Sequence, residues 1–253
     1  MSFQEYARKL FVIHKCASCR QILDFQSFNE ALCPECRMGF DVAKTENCPN
    51  CFRAAFECTC QPKALSSAGS LCLRKLFFYH AEKDNEPQNK IVYFMKHYKS
   101  KRAPHFVASE LYRAIDAELV ALGVSEPERD VIIVNLPRGK RAIIEYGTDQ
   151  SFEVCKALSK ISGIPHEKLL LRKFGGKEQK KLSAVERKRN VKDLIYLNEK
   201  LMQRAKGKYV VLFDDVVTTG ASMSACMPLL RKIGVKGVIC CTLAFDLKNK
   251  RAR

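Results

Sequence analysis

Eight of the chain's 13 cysteines fall between Cys16 and Cys60, in four close pairs: Cys16-x2-Cys19, Cys33-x2-Cys36, Cys48-x2-Cys51 and Cys58-x-Cys60. A C-x2-C turn brings two thiolates onto one ion while backbone N–H groups of the turn stabilise the sulfur charge. Two such turns complete a tetrahedral four-cysteine site, the usual closed arrangement for structural zinc. Pro34 and Pro49 each follow the first cysteine of a pair, which suits tight turns. Thiolate softness favours zinc, with an iron–sulfur cluster as the chemical alternative. Sequential pairing puts Cys16, Cys19, Cys33 and Cys36 on one ion and Cys48, Cys51, Cys58 and Cys60 on another. It needs the shortest loops, and a cross-braced pairing is the alternative. His14 is read as a bystander, because eight thiols are already at hand. A segment this short cannot build its own core, so two structural Zn2+ sites would supply its folding energy outright.

The other 193 residues need no such staple. The 253-residue chain is 47% hydrophobic, too apolar for a disordered tail and long enough for one full domain beside the cysteine module. Its longest charge-free run, Val216 to Leu230, is broken by Thr218, Thr219, Gly220, Ser222, Ser224 and Pro228, so no membrane insertion is expected. The only early apolar stretch, Leu10 to Ile13, is too short for a secretory h-region, and a cytoplasmic location is expected. In that reducing compartment the clustered thiols are ligands rather than disulfides. The net charge of +17 implies attraction to polyanions. Residues 1–65 hold eight Lys/Arg against seven Asp/Glu, and each four-thiolate zinc site carries a formal −2, so the positive field belongs to the larger domain.

Gln61 to Ser70 is the one Pro/Gly/Ser-rich stretch, dividing the chain into a cysteine-rich module at 1–65 and a larger domain at 66–253. Beyond it, strand and helix patterns alternate. Strands are expected at 73–80, 130–135, 168–171, 209–214 and 237–244, and helices at 88–98, 106–122, 150–162 and 220–233. On the long helix, Val107, Leu111, Ala114/Ile115 and Leu119/Leu122 share one face. Short apolar strands alternating with helices argue an α/β fold, a parallel sheet with helices on both faces. Cys72, Cys155, Cys226, Cys240 and Cys241 fall within these patterns and read as core residues.

The most informative segment of the larger domain is Tyr209-Val-Val-Leu-Phe-Asp-Asp-Val-Val-Thr-Thr-Gly-Ala-Ser222. An apolar strand delivers Asp214 and Asp215 at its carboxyl end, and Thr218-Thr219-Gly220 turns directly into a helix. Ligands of open α/β sheets bind at the carboxyl ends of strands. A helix N-terminus offers free N–H groups to a phosphate, Gly220 permits close backbone approach, and Thr218, Thr219 and Ser222 add hydroxyl donors. Carboxylates would repel that phosphate, so sugar hydroxyls are their natural partners.

Phosphate plus ribose is the pattern of the phosphoribosyl pyrophosphate (PRPP) signature of type I phosphoribosyltransferases, which this segment closely resembles. One branch of that superfamily is matched further. Pro137-x3-Arg141-x5-Gly147-x2-Gln150, Gln179-x2-Leu182-Ser183, Arg187-x-Arg189-Asn190 and Asp214-Asp215-x2-Thr218-Thr219-Gly220 look like the ComF family in order and spacing. Lys96 matches the lysine on that family's first helix, and the cysteine pairs resemble its zinc module. The resemblance implies a type I phosphoribosyltransferase-like fold that binds PRPP with Mg2+ and handles single-stranded DNA during natural transformation, with a DNA-uptake helicase or membrane-channel protein as partner. It places ribose on Asp214 and Asp215, the catalytic pair if the protein is an enzyme. It puts the 5′-phosphate on Thr218, Thr219, Gly220, Ala221 and Ser222, and pyrophosphate against Arg138, Lys140 and Arg141. The alternatives are an active transferase releasing pyrophosphate onto a nucleobase or amine, and a non-catalytic PRPP sensor.

Three departures bear on chemistry. Tyr146-Gly-Thr-Asp-Gln150 stands where the family usually has Arg-Gly-Phe-Asn-Gln, and Glu145 occupies another usually basic position. Some superfamily enzymes carry an aspartate base where Thr218 stands, and a hydroxyl is no base near neutral pH without help. Pro228 lies within the motif helix, where an interior proline costs about 3 kcal/mol unless the helix kinks.

From Arg172 to Lys192, nine Lys/Arg face only Glu178 and Glu186, with Gly175-Gly176 giving mobility. Lys180, Lys181, Arg187 and Arg189 are its candidate contacts, either as an active-site flap over pyrophosphate or as a cationic surface for nucleic-acid phosphates. Phe174 and Tyr196 are the only aromatics nearby, so readout of base sequence is not expected.

Overall fold

In the strand that ends in the two aspartates, Val211 and Phe213 join one apolar core while Val210 and Leu212 join another. The same alternation separates Val131 and Ile133 from Ile132 and Val134, and Ile239 and Cys241 from Val238 and Cys240. A strand apolar on both faces is stable only between two covering layers, and this requirement sets the architecture.

A computed structural model describes residues 12–82, 85–98, 100–173 and 194–247. Along the chain lie α1 (Pro34–Lys44), α2 (Lys63–Ser67), β1 (Cys72–Tyr79), α3 (Pro87–His97), α4 (Arg102–Ala121), α5 (Pro127–Asp130), β2 (Val131–Asn135), α6 (Lys140–Tyr146) and α7 (Gln150–Ser162). They are followed by β3 (Leu170–Arg172), β4 (Ile195–Leu197), α8 (Met202–Ala205), β5 (Tyr209–Val217), α9 (Ala221–Ile233) and β6 (Gly237–Asp246). Four strands form one sheet in the order β1-β6-β5-β2, every neighbouring pair parallel. β3 and β4 form a separate antiparallel pair. The fold is thus a parallel sheet with helices on both faces, preceded by a cysteine-rich segment able to hold metal.

α4 and α7 cover one face. Val107, Leu111, Ile115 and Leu119 of α4 lie in that core with Val154, Cys155 and Leu158 of α7, so the helical face read from sequence is the buried one. α4 begins at Arg102, earlier than its apolar periodicity, because Pro104 sits in the first turn, where no backbone N–H is required. α9 covers the opposite face through Met223, Cys226, Met227, Leu230 and Ile233. That burial holds it helical straight through Pro228.

On the connection that leaves β2, α7 therefore packs on one face, and α9, which follows β5, packs on the other, although β2 and β5 are adjacent. Their chains diverge beyond the carboxyl ends of the two strands, the topological switch point where open α/β sheets hold ligands.

Helices α1, α2, α5, α6 and α8 and strand β4 are additions to the sequence expectations, and β5 and β6 run past their apolar cores to Val217 and Asp246. The cysteine-rich segment is not a free-standing bead. Cys16, Cys33, Cys36 and Phe40 share a core with Phe77, Ile91 and Phe106, and Cys48, Ala55 and Cys58 share the other with Leu65 and Leu73. The five remaining cysteines are buried, as their patterns imply. Among the described residues, no helix is long and apolar enough to cross a membrane.

Candidate functional site

The crevice between β2 and β5 is built by the ends of both strands. Asp214 and Asp215 lie within β5 and face Thr242 and its neighbours on β6, and the Thr242 hydroxyl donates to the Asp215 carbonyl at 3.0 Å. Each carboxylate also accepts a hydrogen bond from the next backbone N–H: Asp214 from Asp215 and Asp215 from Val216, both at 3.0 Å. From the other wall, Arg138 follows β2 and its guanidinium hydrogen-bonds Asp215. Lys96 of α3 brings its ammonium to 3.7 Å from the same carboxylate.

The two acids are therefore unequal. Burial pushes the Asp214 carboxyl far above the usual range, and the neighbouring Asp215 adds to the effect. Burial works against Asp215 as well, but Arg138 and Lys96 outweigh it and hold that carboxyl below its ordinary value. The pair holds one proton more readily than either acid alone would, with the charge on Asp215.

Beyond the acids the chain turns through Thr218 and Thr219 to Gly220, whose φ of +73° lies in the left-handed region. Gly220 has no side chain to cap α9, the Ala221 N–H donates to the Thr219 hydroxyl oxygen at a long 3.4 Å, and the start of the helix borders a small open pocket lined by Asp214 and the run from Val216 to Met223. Sequence reasoning missed what lies behind this loop. Leu65 of α2 is fully buried against Gly220, where an added Cβ would come within 2.7 Å of the Leu65 Cγ. The Ser224 hydroxyl shares its one proton between the Ala64 carbonyl at 2.9 Å and the Gly220 carbonyl at 2.7 Å, and Arg231 donates to the Ala68 carbonyl at 2.7 Å. The linker that separates module from domain in the sequence is thus the back support of the loop. Its single Leu in a polar stretch was the available signal.

Asp149 stands at the N-terminus of α7, accepting the Phe152 N–H at 3.1 Å, and burial raises its carboxyl above the ordinary value against the pull of Arg138. A raised folded-state pKa penalises the charged form, so this group's contribution to stability grows as pH falls through the raised value and levels off below the unfolded one, about 3.9. Asp149→Asn keeps the cap without the charge and is expected to match or exceed the parent in denaturant melts at pH 7. Asp149→Ala should lose about 1 kcal/mol. Equal melts for both variants would exclude the capping role.

The eight thiols gather in two sequential sets, Cys16, Cys19, Cys33 and Cys36, then Cys48, Cys51, Cys58 and Cys60, with all ligand atoms of a set within 4.8 Å of one another. Sulfurs of Cys19 and Cys33 stand 3.7 Å apart and those of Cys51 and Cys58 3.6 Å. Tetrahedral zinc with bonds of about 2.3 Å implies sulfur separations of about 3.8 Å. The donor sets fit that ion. Burial, helped by neighbouring sulfurs, pushes the Cys36 and Cys60 thiols up to about 12, a penalty that a divalent cation would remove. His14 is turned away, its ring nitrogen 2.9 Å from the Phe28 carbonyl. The second set has a partner that the sequence reading did not find. Lys75, wholly buried in β1, donates to the Cys58 carbonyl at 2.8 Å and lies 3.2 Å from the Cys58 sulfur. Two basic residues, Arg74 and Lys75, within an otherwise apolar strand were its trace.

Of the other expected contacts, Lys140 and Arg141 open α6, and their side chains lie outside the described residues. Lys180, Lys181, Arg187 and Arg189 lie outside the described residues altogether.

A family model for the phosphoribosyl transferase domain matches residues 164–253. No curated protein matches the chain. Among solved structures, the chain is similar to a hypoxanthine phosphoribosyltransferase from Staphylococcus aureus, at 14% identity over 61% of this chain and 69% of that one, with a TM-score of 0.36. A hypoxanthine phosphoribosyltransferase from Trypanosoma cruzi matches at 11% identity over 61% and 73%, with a TM-score of 0.38. The glutamine PRPP amidotransferase of B. subtilis matches at 18% identity and a TM-score of 0.36 over 60% of this chain, which spans 30% of that enzyme's length. Strand β5, its two aspartates and the loop into α9 all lie inside the stretch matched by the family model.

Proposed function

We propose that the chain binds PRPP with Mg2+ in the crevice between β2 and β5, as a ComF-like cytoplasmic protein that handles single-stranded DNA during natural transformation. One observation carries the sugar–phosphate part: two carboxylates near the carboxyl end of β5 are followed, after a short turn through left-handed Gly220, by the N-terminus of α9, and Asp214 and that turn line one pocket. In this reading Asp214 and Asp215 take the ribose hydroxyls. The held charge on Asp215 makes it the stronger acceptor, and Asp214, whose carboxyl is raised by burial, takes up a proton before Asp215 does and can then donate as well as accept. Thr218 to Ser222 take the 5′-phosphate on backbone N–H groups and hydroxyls. Arg138, beside Lys140 and Arg141 on the same connection, turns from Asp215 toward pyrophosphate when PRPP enters. Bound Mg2+ would neutralise part of the pyrophosphate charge. Zinc in the two cysteine sets is structural, and a DNA-uptake helicase or membrane-channel protein is the partner of this reading.

The strand-handling part is supported by the net +17 and by the density of Lys and Arg between Arg172 and Lys192. An acidic base is missing at Thr218, which favours binding over transfer to a purine.

Phosphorus NMR of PRPP with Mg2+ and the zinc-loaded protein tests this directly, alone, with a panel of nucleobases and with single-stranded DNA. Broadened PRPP signals without pyrophosphate are expected. Pyrophosphate appearing with one acceptor would make the protein a transferase and name its substrate class. The Asp214→Asn/Asp215→Asn variant should weaken the PRPP effect at least about tenfold, the loss of one to two charge-assisted hydrogen bonds. Unperturbed PRPP with the parent protein would refute the site.

A further inference from the structure

The basic segment is not the only cationic stretch. Between Pro87 and Ser109 the chain has no Asp or Glu, yet it carries Lys90, Lys96, Lys99, Lys101 and Arg102. Its described residues include α3 and the start of α4, and they hold aromatic rings that the core does not absorb. Tyr93 is 55% exposed and Tyr98 44%, and His97 is exposed as well.

The rings form one continuous chain of contacts. Tyr98 meets Phe94 at 5.1 Å between centroids, Phe94 meets Tyr93 at 5.4 Å, and Tyr93 lies over His97 at 4.2 Å. His97 in turn meets Tyr146 edge-on at 5.3 Å. Tyr146 closes α6, within electrostatic reach of Arg138 and Asp215 at the mouth of the crevice. At the far end the Arg20 guanidinium, one residue beyond Cys19, covers Tyr98 at 4.3 Å. The spacing explains the row: Tyr93 with His97 and Phe94 with Tyr98 are i, i+4 pairs, stacked one turn apart on a helix.

We infer that this ring row on α3 is a track for single-stranded nucleic acid, leading from the first cysteine set to the crevice between β2 and β5. The inference rests on the strand-handling part of the function proposed above and gives it a surface. Exposed flat rings take unpaired bases by stacking, and Lys90 and Lys101 beside them follow the phosphates, while Lys96 is held by Asp215 and Arg102 by the Phe28 carbonyl. A duplex keeps its bases stacked inside and offers these rings nothing. An acidic protein segment would satisfy the cations but leave Tyr93, His97 and Tyr98 without flat partners.

The test uses the full-length, zinc-loaded chain and fluorescein-labelled dT20, followed by anisotropy at several salt concentrations. The chain has no Trp and eight Tyr, so the part of the tyrosine emission that the Tyr93→Ala/Tyr98→Ala variant removes reports on the rings. Binding is expected to quench it. Tyr93→Ala/Tyr98→Ala should weaken dT20 binding about ten- to a hundredfold, from base–aromatic stacking at two rings. Its salt slope should be unchanged, because the phosphate contacts remain. Tyr93→Phe/Tyr98→Phe should bind like the parent, which separates stacking from misfolding. Duplex DNA should bind weakly to parent and variants alike.

Equal dT20 affinity for the Ala variant and the parent would overturn the track and leave the strand to the basic segment. So would displacement of dT20 by polyglutamate as effectively as by unlabelled dT20. No binding of dT20 by the parent would remove the whole strand-handling reading. PRPP titration of the same variants is independent of all these outcomes and should match the parent.

Discussion

Stripping the metal from the reduced protein with a chelator is expected to cost as much stability as the whole fold possesses. Structural zinc sites contribute on the order of 10–16 kcal/mol in small finger peptides, and a domain's net stability is about 5–15 kcal/mol. The effect should not stop at the cysteine segment, because its residues are shared with both cores of the α/β fold. It should also differ between the two sets. The first set packs with Phe40 against Phe77 and Phe106, far along the chain from the phosphate loop. The second set leads through Cys60 and Pro62 straight into α2, whose Leu65 backs Gly220, and it holds the buried ammonium of Lys75 beside Cys58. Cys58→Ser/Cys60→Ser should therefore lose one metal equivalent and most of the affinity for ribose 5-phosphate. Cys16→Ser/Cys19→Ser should lose one equivalent and melt earlier, while binding ribose 5-phosphate at temperatures where it stays folded. Zinc content, thermal melts and phosphate titrations check this together. Parent-like sugar–phosphate binding by the Cys58/Cys60 variant would show that α2 does not depend on the metal.

Why some of this was legible in the sequence and some was not follows from the range of the interactions. The strand from Tyr209, the acid pair, the turn and the helix to Ile233 are one local unit, so spacing and residue type located them together. Apolar periodicity located the buried face of α4 for the same reason. Cysteine spacing favoured sequential sets, and the sulfurs indeed converge that way. What escaped were contacts between distant segments. Arg138 and Asp215 are 77 residues apart, Ser224 and Ala64 160. Polar composition made Gln61 to Ser70 read as a spacer, yet one leucine in it is buried and wedged behind the loop. Lys75 was hidden by the opposite bias, since a lysine in a strand is ordinarily an exposed residue, and its partners at Cys58, the carbonyl and the sulfur, are what make its burial tolerable. The ring row on α3 was dispersed among core positions such as Ile91, Val92 and Met95, and helical geometry alone sorts the exposed rings from the buried ones.

Gly220→Ala should be among the most damaging single-methyl changes in the protein, and its cause can be divided experimentally. One part is conformational. At φ +73° a Cβ meets its own backbone, a cost of about 1–2 kcal/mol for a residue that is not glycine. The other part is steric. The new methyl would lie 2.7 Å from the Leu65 Cγ, a branch point held by full burial and by the Ser224–Ala64 hydrogen bond, so the neighbour has little room to yield. Overpacking of that kind adds about 1–3 kcal/mol. Leu65→Ala alone removes a buried side chain and should cost about 2–5 kcal/mol. In the double variant the methyl enters the space that Leu65 leaves, and the two losses should fall short of their sum by roughly the steric part. Denaturant melts of the four proteins give that coupling. A Gly220 penalty unchanged by Leu65→Ala would assign the whole effect to backbone strain, and α2 would then have no hold on the loop.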